Sequence, residues 1–220
     1  KVGKGAFMKT LERARELAKN MVEIGASMGR RTIALLTDMN QPLGKMIGNS
    51  LEAIESFECL KNRGPKDLTE LTLDLTAYMV LAGNLEHDVE EAKKRVVRKL
   101  ESGEAFEKMK KMIEAQGGNP KAADDYSLLP TARHMVDFVY EKGKEAGHVW
   151  EVDAFKLGVA SMALGAGRKS IHESVDHGVG ISEVAKIGDW VSPGDVLCKL
   201  HYNDERKKEE ALSLLREAFV

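Results

Sequence analysis

The sequence has little charge excess of either sign, no long apolar run and only two cysteines. Its 33 Lys and Arg residues face 35 Asp and Glu, a net charge of −2, which argues against a nucleic-acid or anionic-membrane binder. No window approaches the roughly 18 uncharged apolar residues of a membrane span, and we find no export leader. Cys59 and Cys198 lie far apart without metal or redox spacing, which favours two inert thiols in a reducing cytoplasm.

What remains is an ordinary globular composition. Hydrophobic residues make up 43% of the 220 positions and charged residues 31%, so a core can form in one large domain or two small ones. The sequence begins at Lys1 inside a loop-like stretch and ends at Val220 inside an apolar helical pattern that lacks a stop signal. We therefore expect both ends to be cut ends of a longer chain.

The first 125 residues are predicted to form an α/β unit, part of a mixed or parallel sheet flanked by helices. Arg31 to Thr37 is a short apolar run that predicts a strand buried on both faces. Gly29 before it suits a left-handed helix end, and Asp67 suits an N-cap. Helical periodicity predicts helices over about 11–27, 47–60, 68–82, 86–101 and 104–116.

Residues 126–220 are predicted to form a smaller α+β unit. Its predicted strands cover 147–152, 179–184 and 195–201, with helices over 154–164 and from about 204. Two Gly-Asp turns within 187–197 predict a β hairpin like those of biotinyl and lipoyl carriers. Because no modifiable Met-Lys-Met is present, we favour a structural hairpin.

Three stretches resemble functional motifs, and each has a structural alternative. Lys1 to Gly5 has the glycines and cations of a phosphate loop but not the spacing, which favours a tight loop. Gly165 to Arg168 follows a helix rather than preceding one, which favours a helix stop. His172 and His177 bracket two acidic residues without metal-ligand spacing, which favours an exposed polar loop.

The turn after the predicted strand is the best candidate for function. In an open parallel sheet, ligands bind beyond the carboxyl ends of the strands, and Asp38-Met-Asn-Gln41 lies there. Asp38 and Asn40 have two possible roles, contact with a substrate or capping of the next helix and ordering of the loop. We favour capping and loop ordering.

This turn opens a set of collinear motifs. Thr37-Asp-Met-Asn-Gln-Pro-Leu-Gly44 is followed by Gly48-Asn49, Glu55, Gly64-Pro65 and Asp67-Leu-Thr-Glu-Leu71, and later by Ala115-Gln-Gly-Gly118, Leu164-Gly-Ala-Gly-Arg168 and Ile187-Gly-Asp189. Together with the opening Lys1-Val-Gly-Lys-Gly-Ala-Phe-Met8, they closely resemble the thymidine and pyrimidine-nucleoside phosphorylases over essentially the whole chain.

The resemblance implies phosphorolysis of a pyrimidine nucleoside, in which inorganic phosphate releases the base and leaves a sugar 1-phosphate. The family's phosphate-binding and pyrimidine-holding side chains would all lie upstream of Lys1. This chain would supply Phe7, which packs against the base, and part of a structural potassium site. The potassium ligands are the main-chain oxygens of Leu43 and Met46 and the carboxylate of Glu55. Without the resemblance, Glu55 would be taken for a solvated helix residue.

The resemblance also implies a cytoplasmic homodimer with no organic cofactor and no nucleic-acid or membrane partner. The dimerisation domain would lie upstream, so we predict that these 220 residues alone are inactive. Thymidine-only and broad pyrimidine specificity both stay open. The alternative is a non-catalytic carrier or scaffold that keeps the fold. A phosphoribosyltransferase is disfavoured, because those enzymes lack the unit after residue 130.

Overall fold

A computed structural model of the chain describes residues 1–141, 145–168 and 170–220. Two compact units are present, Lys1–Met39 with Phe57–Pro120, and Asn40–Ser56 with Lys121–Val220. Helices and small antiparallel sheets confirm the predicted mixed α/β class. Among the described residues, no helix has both the length and the apolar character needed to cross a membrane.

The regular secondary structure of the first unit is helical. Its helices are α1 (Leu11–Ser27), the end of α2 (Asn49–Leu60), α3 (Lys66–Ala82), α4 (Val89–Glu101) and α5 (Glu104–Ala115). The hydroxyl of Thr10 caps α1 by accepting from Arg13 N at 3.5 Å. As predicted, Gly29 follows that helix with a left-handed φ of +70°. Helix α4 packs between α3 and α5.

The strand predicted over 31–37 does not form. None of its seven residues is buried, and none belongs to a strand ladder. A strand in the interior of a sheet needs a partner on each side to satisfy its backbone groups, and within the described residues the neighbouring pairing is a single parallel bridge between Val2 and Asp38. Elsewhere in the described ranges, the other parallel pairing is the bridge between Val2 and Met8. The prediction of a strand buried on both faces was therefore wrong.

Three predicted helix starts were also wrong. Helix α4 begins at Val89 rather than at about residue 86. Helix α2 begins at Asn49, because Ile47 exchanges both backbone hydrogen bonds with Ile181 at 2.8 Å each and so lies in a bridge. Asp38 and Asn40 therefore lie too far upstream to cap it. In α3 the N-cap is Pro65, and Asp67 lies in the first turn. The Asp67 carboxylate accepts a hydrogen bond from Leu68 N, and its negative charge interacts favourably with the positive end of the helix dipole.

The second unit combines two small sheets with two helices of its own and the start of α2. Strands β1 (His134–Val139), β3 (Gly180–Ser182) and β5 (Val196–Tyr202) form an antiparallel sheet in the order β1-β5-β3, and β2 (Gly147–His148) pairs with β4 (Trp190–Val191). Helices α6 (Ala154–Leu164) and α7 (Glu205–Leu215) pack on each other and on this sheet. The core includes the fully buried Val152, Leu157, Val179, Ile181, Val184, Leu200 and Leu215.

The hairpin predicted over 187–197 differs from the observed pairing. Both Gly-Asp turns form, with Gly188 at φ +94° and Gly194 at φ +101°. The carboxylates of Asp189 and Asp195 accept from Lys186 N and Ser192 N. However, β4 pairs with β2, and β5 pairs with β1 and β3. Strand β1 was not predicted.

Candidate functional site

Residues 41–48, here called loop 41–48, precede α2 in the second unit and contain the residues with predicted main-chain ligand roles. Gly44 has φ +71° and Gly48 has φ +137°, conformations that side-chain-bearing residues rarely adopt. A Cβ atom on Gly48 would stand 2.6 Å from the Val179 carbonyl oxygen. The two glycines therefore allow the loop to fold tightly against residues of its own unit.

Glu55 projects from α2 onto this loop. It is 5% exposed, and its Oε1 atom accepts a hydrogen bond from Lys45 N at 2.7 Å. A Cβ atom on Gly44 would stand 2.2 Å from Glu55 Oε2. Burying a carboxylate is costly unless hydrogen bonds or a cation compensate for its lost hydration. Glu55 is thus a buried anion in contact with the loop, and the solvated helix residue that the sequence alone suggested is wrong.

Residues 181–186 donate hydrogen bonds to four of the eight carbonyls of loop 41–48. Lys45 O accepts from Val184 N at 3.1 Å, and Ile47 O accepts from Ile181 N at 2.8 Å. The Lys186 ammonium donates to the carbonyls of Pro42 and, at 2.9 Å, Gly44. Of the residues that the structure describes, none donates a hydrogen bond to the carbonyl of Leu43 or Met46.

These groups have the chemistry of a site for a hard cation. Two main-chain carbonyls, to which no residue in the described part of the chain donates a hydrogen bond, lie in the same short loop that contacts a buried carboxylate. Oxygen ligands of this kind suit alkali and alkaline-earth ions, and carbonyl ligands impose no side-chain identity. The donor set therefore fits the potassium ion that the resemblance implies. No group of three or more His, Cys, Asp or Glu side chains in the described ranges could hold a metal ion.

Phe7 belongs to the first unit and is 92% exposed. The loop that carries it is fixed to residues 37–39, because Val2 N donates to Thr37 O at 2.8 Å and Gly5 N donates to Met39 O at 2.9 Å. Beside it lies a cavity of about 480 Å³ lined by Phe7, Met8, Leu17, Met21, Leu36 and Met39. An exposed aromatic ring on a fixed loop at an apolar cavity is suited to packing against a flat ligand. As predicted, Lys1 to Gly5 forms a tight loop.

Asp38 and Asn40 contribute to loop order rather than to helix capping. Asp38 forms the bridge to Val2, and the backbone carbonyl of Asn40 accepts from Ala154 N at 3.0 Å. Next to it, the Gln41 side-chain oxygen accepts from Ile187 N at 3.1 Å. His172 and His177 are exposed, as predicted. Gly165 ends α6 with φ +110°, which confirms the predicted helix stop.

Sequence reasoning missed Lys186 and His201. Lys186 is separated from its carbonyl partners by 144 and 142 residues, so no local spacing could reveal it. In β5, burial raises the pKa of the Cys198 thiol to about 12. Burial also lowers the pKa of His201, whose Nε2 lies 2.8 Å from Ser182 Oγ.

Two family models match the chain. Residues 1–106 match the a/b domain of a glycosyl transferase family, and residues 148–220 match the pyrimidine nucleoside phosphorylase C-terminal domain. A pyrimidine-nucleoside phosphorylase of Staphylococcus aureus (strain bovine RF122 / ET3-1) is 46% identical over 203 residues, covering 92% of this chain and 46% of that protein.

A second relative, the pyrimidine-nucleoside phosphorylase of Staphylococcus haemolyticus (strain JCSC1435), is 43% identical over 224 residues, covering 99% of this chain and 51% of that protein. The chain thus spans about half the length of the curated relatives it matches. Both domain models match in the same order as the motifs identified in the sequence. The chain belongs to the thymidine and pyrimidine-nucleoside phosphorylase family.

Proposed function

We propose that this chain is the carboxyl-terminal portion of an enzyme that cleaves pyrimidine nucleosides with inorganic phosphate. The products are the free base and ribose or deoxyribose 1-phosphate. The observation that carries the proposal is the match, in order, to both family domains along most of the chain. The named activity of the relatives is the reason for choosing this reaction.

In this reaction a phosphate oxygen forms a bond to the anomeric carbon as the bond from that carbon to the pyrimidine nitrogen breaks. The bonding electrons leave with the base, so hydrogen-bond donors must stabilise the negative charge that develops on the pyrimidine. By the resemblance, those donors and the phosphate ligands lie upstream of Lys1. Phe7 would pack its exposed ring against the base and hold it in place.

A potassium ion belongs to the proposal as a structural ion. Leu43 and Met46 would bind it through their carbonyl oxygens, and Glu55 through its carboxylate. The ion would neutralise the buried carboxylate and hold loop 41–48 in one conformation. It would take no direct part in bond cleavage.

The proposal extends to a homodimeric, cytoplasmic enzyme of nucleoside salvage. Both cysteines are unpaired and buried, which suits a reducing compartment. The carrier alternative gains no support, because the turn between β4 and β5, Ser192-Pro-Gly-Asp195, contains no lysine to modify. A mass spectrum that showed biotin or lipoate on a lysine would revive it.

The test is an assay of thymine release from thymidine, with and without phosphate. We expect no release by the purified 220-residue chain, and phosphate-dependent release when the chain is fused behind the amino-terminal half of the Staphylococcus aureus relative. Uridine in parallel reactions measures specificity. Release by the 220 residues alone would contradict the partial-chain proposal. A folded, dimeric fusion without phosphate-dependent release would contradict phosphorolysis.

A further inference from the structure

Lys186 places a positive charge directly on loop 41–48. Its ammonium donates to the carbonyls of Pro42 and Gly44, the residues on either side of Leu43. Its backbone is fixed as well, since Lys186 N donates to the Asp189 carboxylate at 2.9 Å. The fold therefore holds the charge at the two residues that flank Leu43.

The oxygen ligands alone do not decide between monovalent and divalent cations. Carboxylate and carbonyl oxygens bind calcium and magnesium as readily as they bind alkali ions. A carboxylate attracts a cation in proportion to the cation's charge, and an ammonium group repels it in the same proportion. At a site close to Glu55 and Lys186, the attraction of a divalent ion to the carboxylate is therefore largely cancelled by its repulsion from the ammonium group.

We propose that Lys186 is a specificity-determining residue that makes the site formed by Leu43, Met46 and Glu55 selective for monovalent over divalent cations. The inference rests on the proposed function, of which the cation site is a part. Lys186 discriminates by charge, while its two hydrogen bonds keep that charge at a fixed place in the loop.

If Lys186 only ordered loop 41–48, the expected result would be different. Loss of loop order weakens the binding of every cation by the same factor, so the ratio of the calcium and potassium affinities stays constant. Loss of a nearby positive charge strengthens the binding of a divalent ion by about the square of the factor that applies to a monovalent ion. The affinity ratio therefore separates the two roles.

The experiment titrates KCl and CaCl₂ into the purified full-length protein at constant ionic strength set with tetramethylammonium chloride. Thermal unfolding gives the half-saturating concentration of each ion, since a bound ion stabilises the folded state. Lys186→Gln removes the charge but keeps an N–H donor for one carbonyl, and Lys186→Met is a second neutral variant. Lys186→Arg keeps the charge. Lys156→Gln is the matched control, because the Lys156 ammonium donates to Glu217 O at 3.0 Å and to its carboxylate at 3.1 Å.

We expect the neutral variants to raise the affinity for calcium relative to potassium by about tenfold or more. Lys186→Arg and Lys156→Gln should keep the wild-type ratio. An unchanged ratio in the neutral variants would overturn the inference while leaving the cation site in place. A wild-type protein that responds to neither ion would overturn both the site and the inference, and the thymine-release assay would still judge phosphorolysis separately.

Discussion

The Glu55 carboxylate fills the space that a side chain on Gly44 would need: its Oε2 atom lies 2.2 Å from the position of an added Cβ. Glycine at this position thus allows a buried anion to reach the main chain of loop 41–48. The contact links a backbone conformation, φ +71° at Gly44, to the candidate cation site.

Gly44→Ala should therefore destabilise the protein in two ways. The left-handed conformation costs an alanine about 1 kcal/mol, and displacing the buried carboxylate from its hydrogen bond should add about 1–3 kcal/mol. Gly29→Ala is the matched control, because Gly29 has φ +70° and nothing within 4 Å of an added Cβ. Urea unfolding of both variants measures the difference. Equal free-energy losses would show that Glu55 moves aside freely.

Glu55→Gln should abolish the stabilisation by potassium. The amide is nearly isosteric with the carboxylate, but it has no charge to attract a cation. Glu52→Gln is the control on the same helix, since Glu52 Oε1 accepts from Gly48 N at 3.1 Å and is not part of the candidate site. The melting temperature is measured with KCl and with tetramethylammonium chloride. A potassium response that survives in Glu55→Gln would exclude Glu55 as a ligand.

Phe7→Ala should raise the KM for the nucleoside several-fold in the full-length enzyme and leave the melting temperature almost unchanged. The ring is 92% exposed, so its removal costs little buried apolar area. Met28→Ala, at another exposed apolar residue of the same unit, should change neither quantity. If Phe7→Ala kept the wild-type KM, the base would have to be held without this ring.

The structural features that the sequence predicted correctly depend on residues close together in the chain. The bounds of α6 were predicted correctly because both ends have a local marker, the Asp153 carboxylate that accepts from Phe155 N and Lys156 N, and the left-handed Gly165. The strand over 31–37 was not, because an apolar run does not reveal whether neighbouring strands exist. Glu55 was identified only through the family resemblance, since its burial depends on how loop 41–48 folds back onto α2.

His201 should make the protein less stable in mild acid. Burial lowers the pKa of His201 below its ordinary value of 6.5, so the folded state binds fewer protons than the unfolded state as the pH falls. Its contribution to stability is complete above about pH 6.5 and is lost as the pH falls through the lower, folded-state pKa. His201→Gln should flatten this dependence, and His172→Gln, at an exposed site, should not. Urea midpoints between pH 8 and pH 5 measure it; parallel curves for wild type and His201→Gln would exclude His201 as the cause.

Cys198 should resist alkylation in the folded protein. Burial raises the pKa of this thiol from an ordinary 9.0 to about 12, so only about one molecule in ten thousand carries the thiolate at pH 8. Because the folded-state pKa is raised, this thiol supports stability below about pH 9 and loses that contribution as the pH rises toward 12. Mass spectrometry after iodoacetamide treatment should show Cys198 unmodified in native protein and alkylated in urea. Rapid modification without urea would mean that β5 opens readily, because the thiol is fully buried within the core of the second unit.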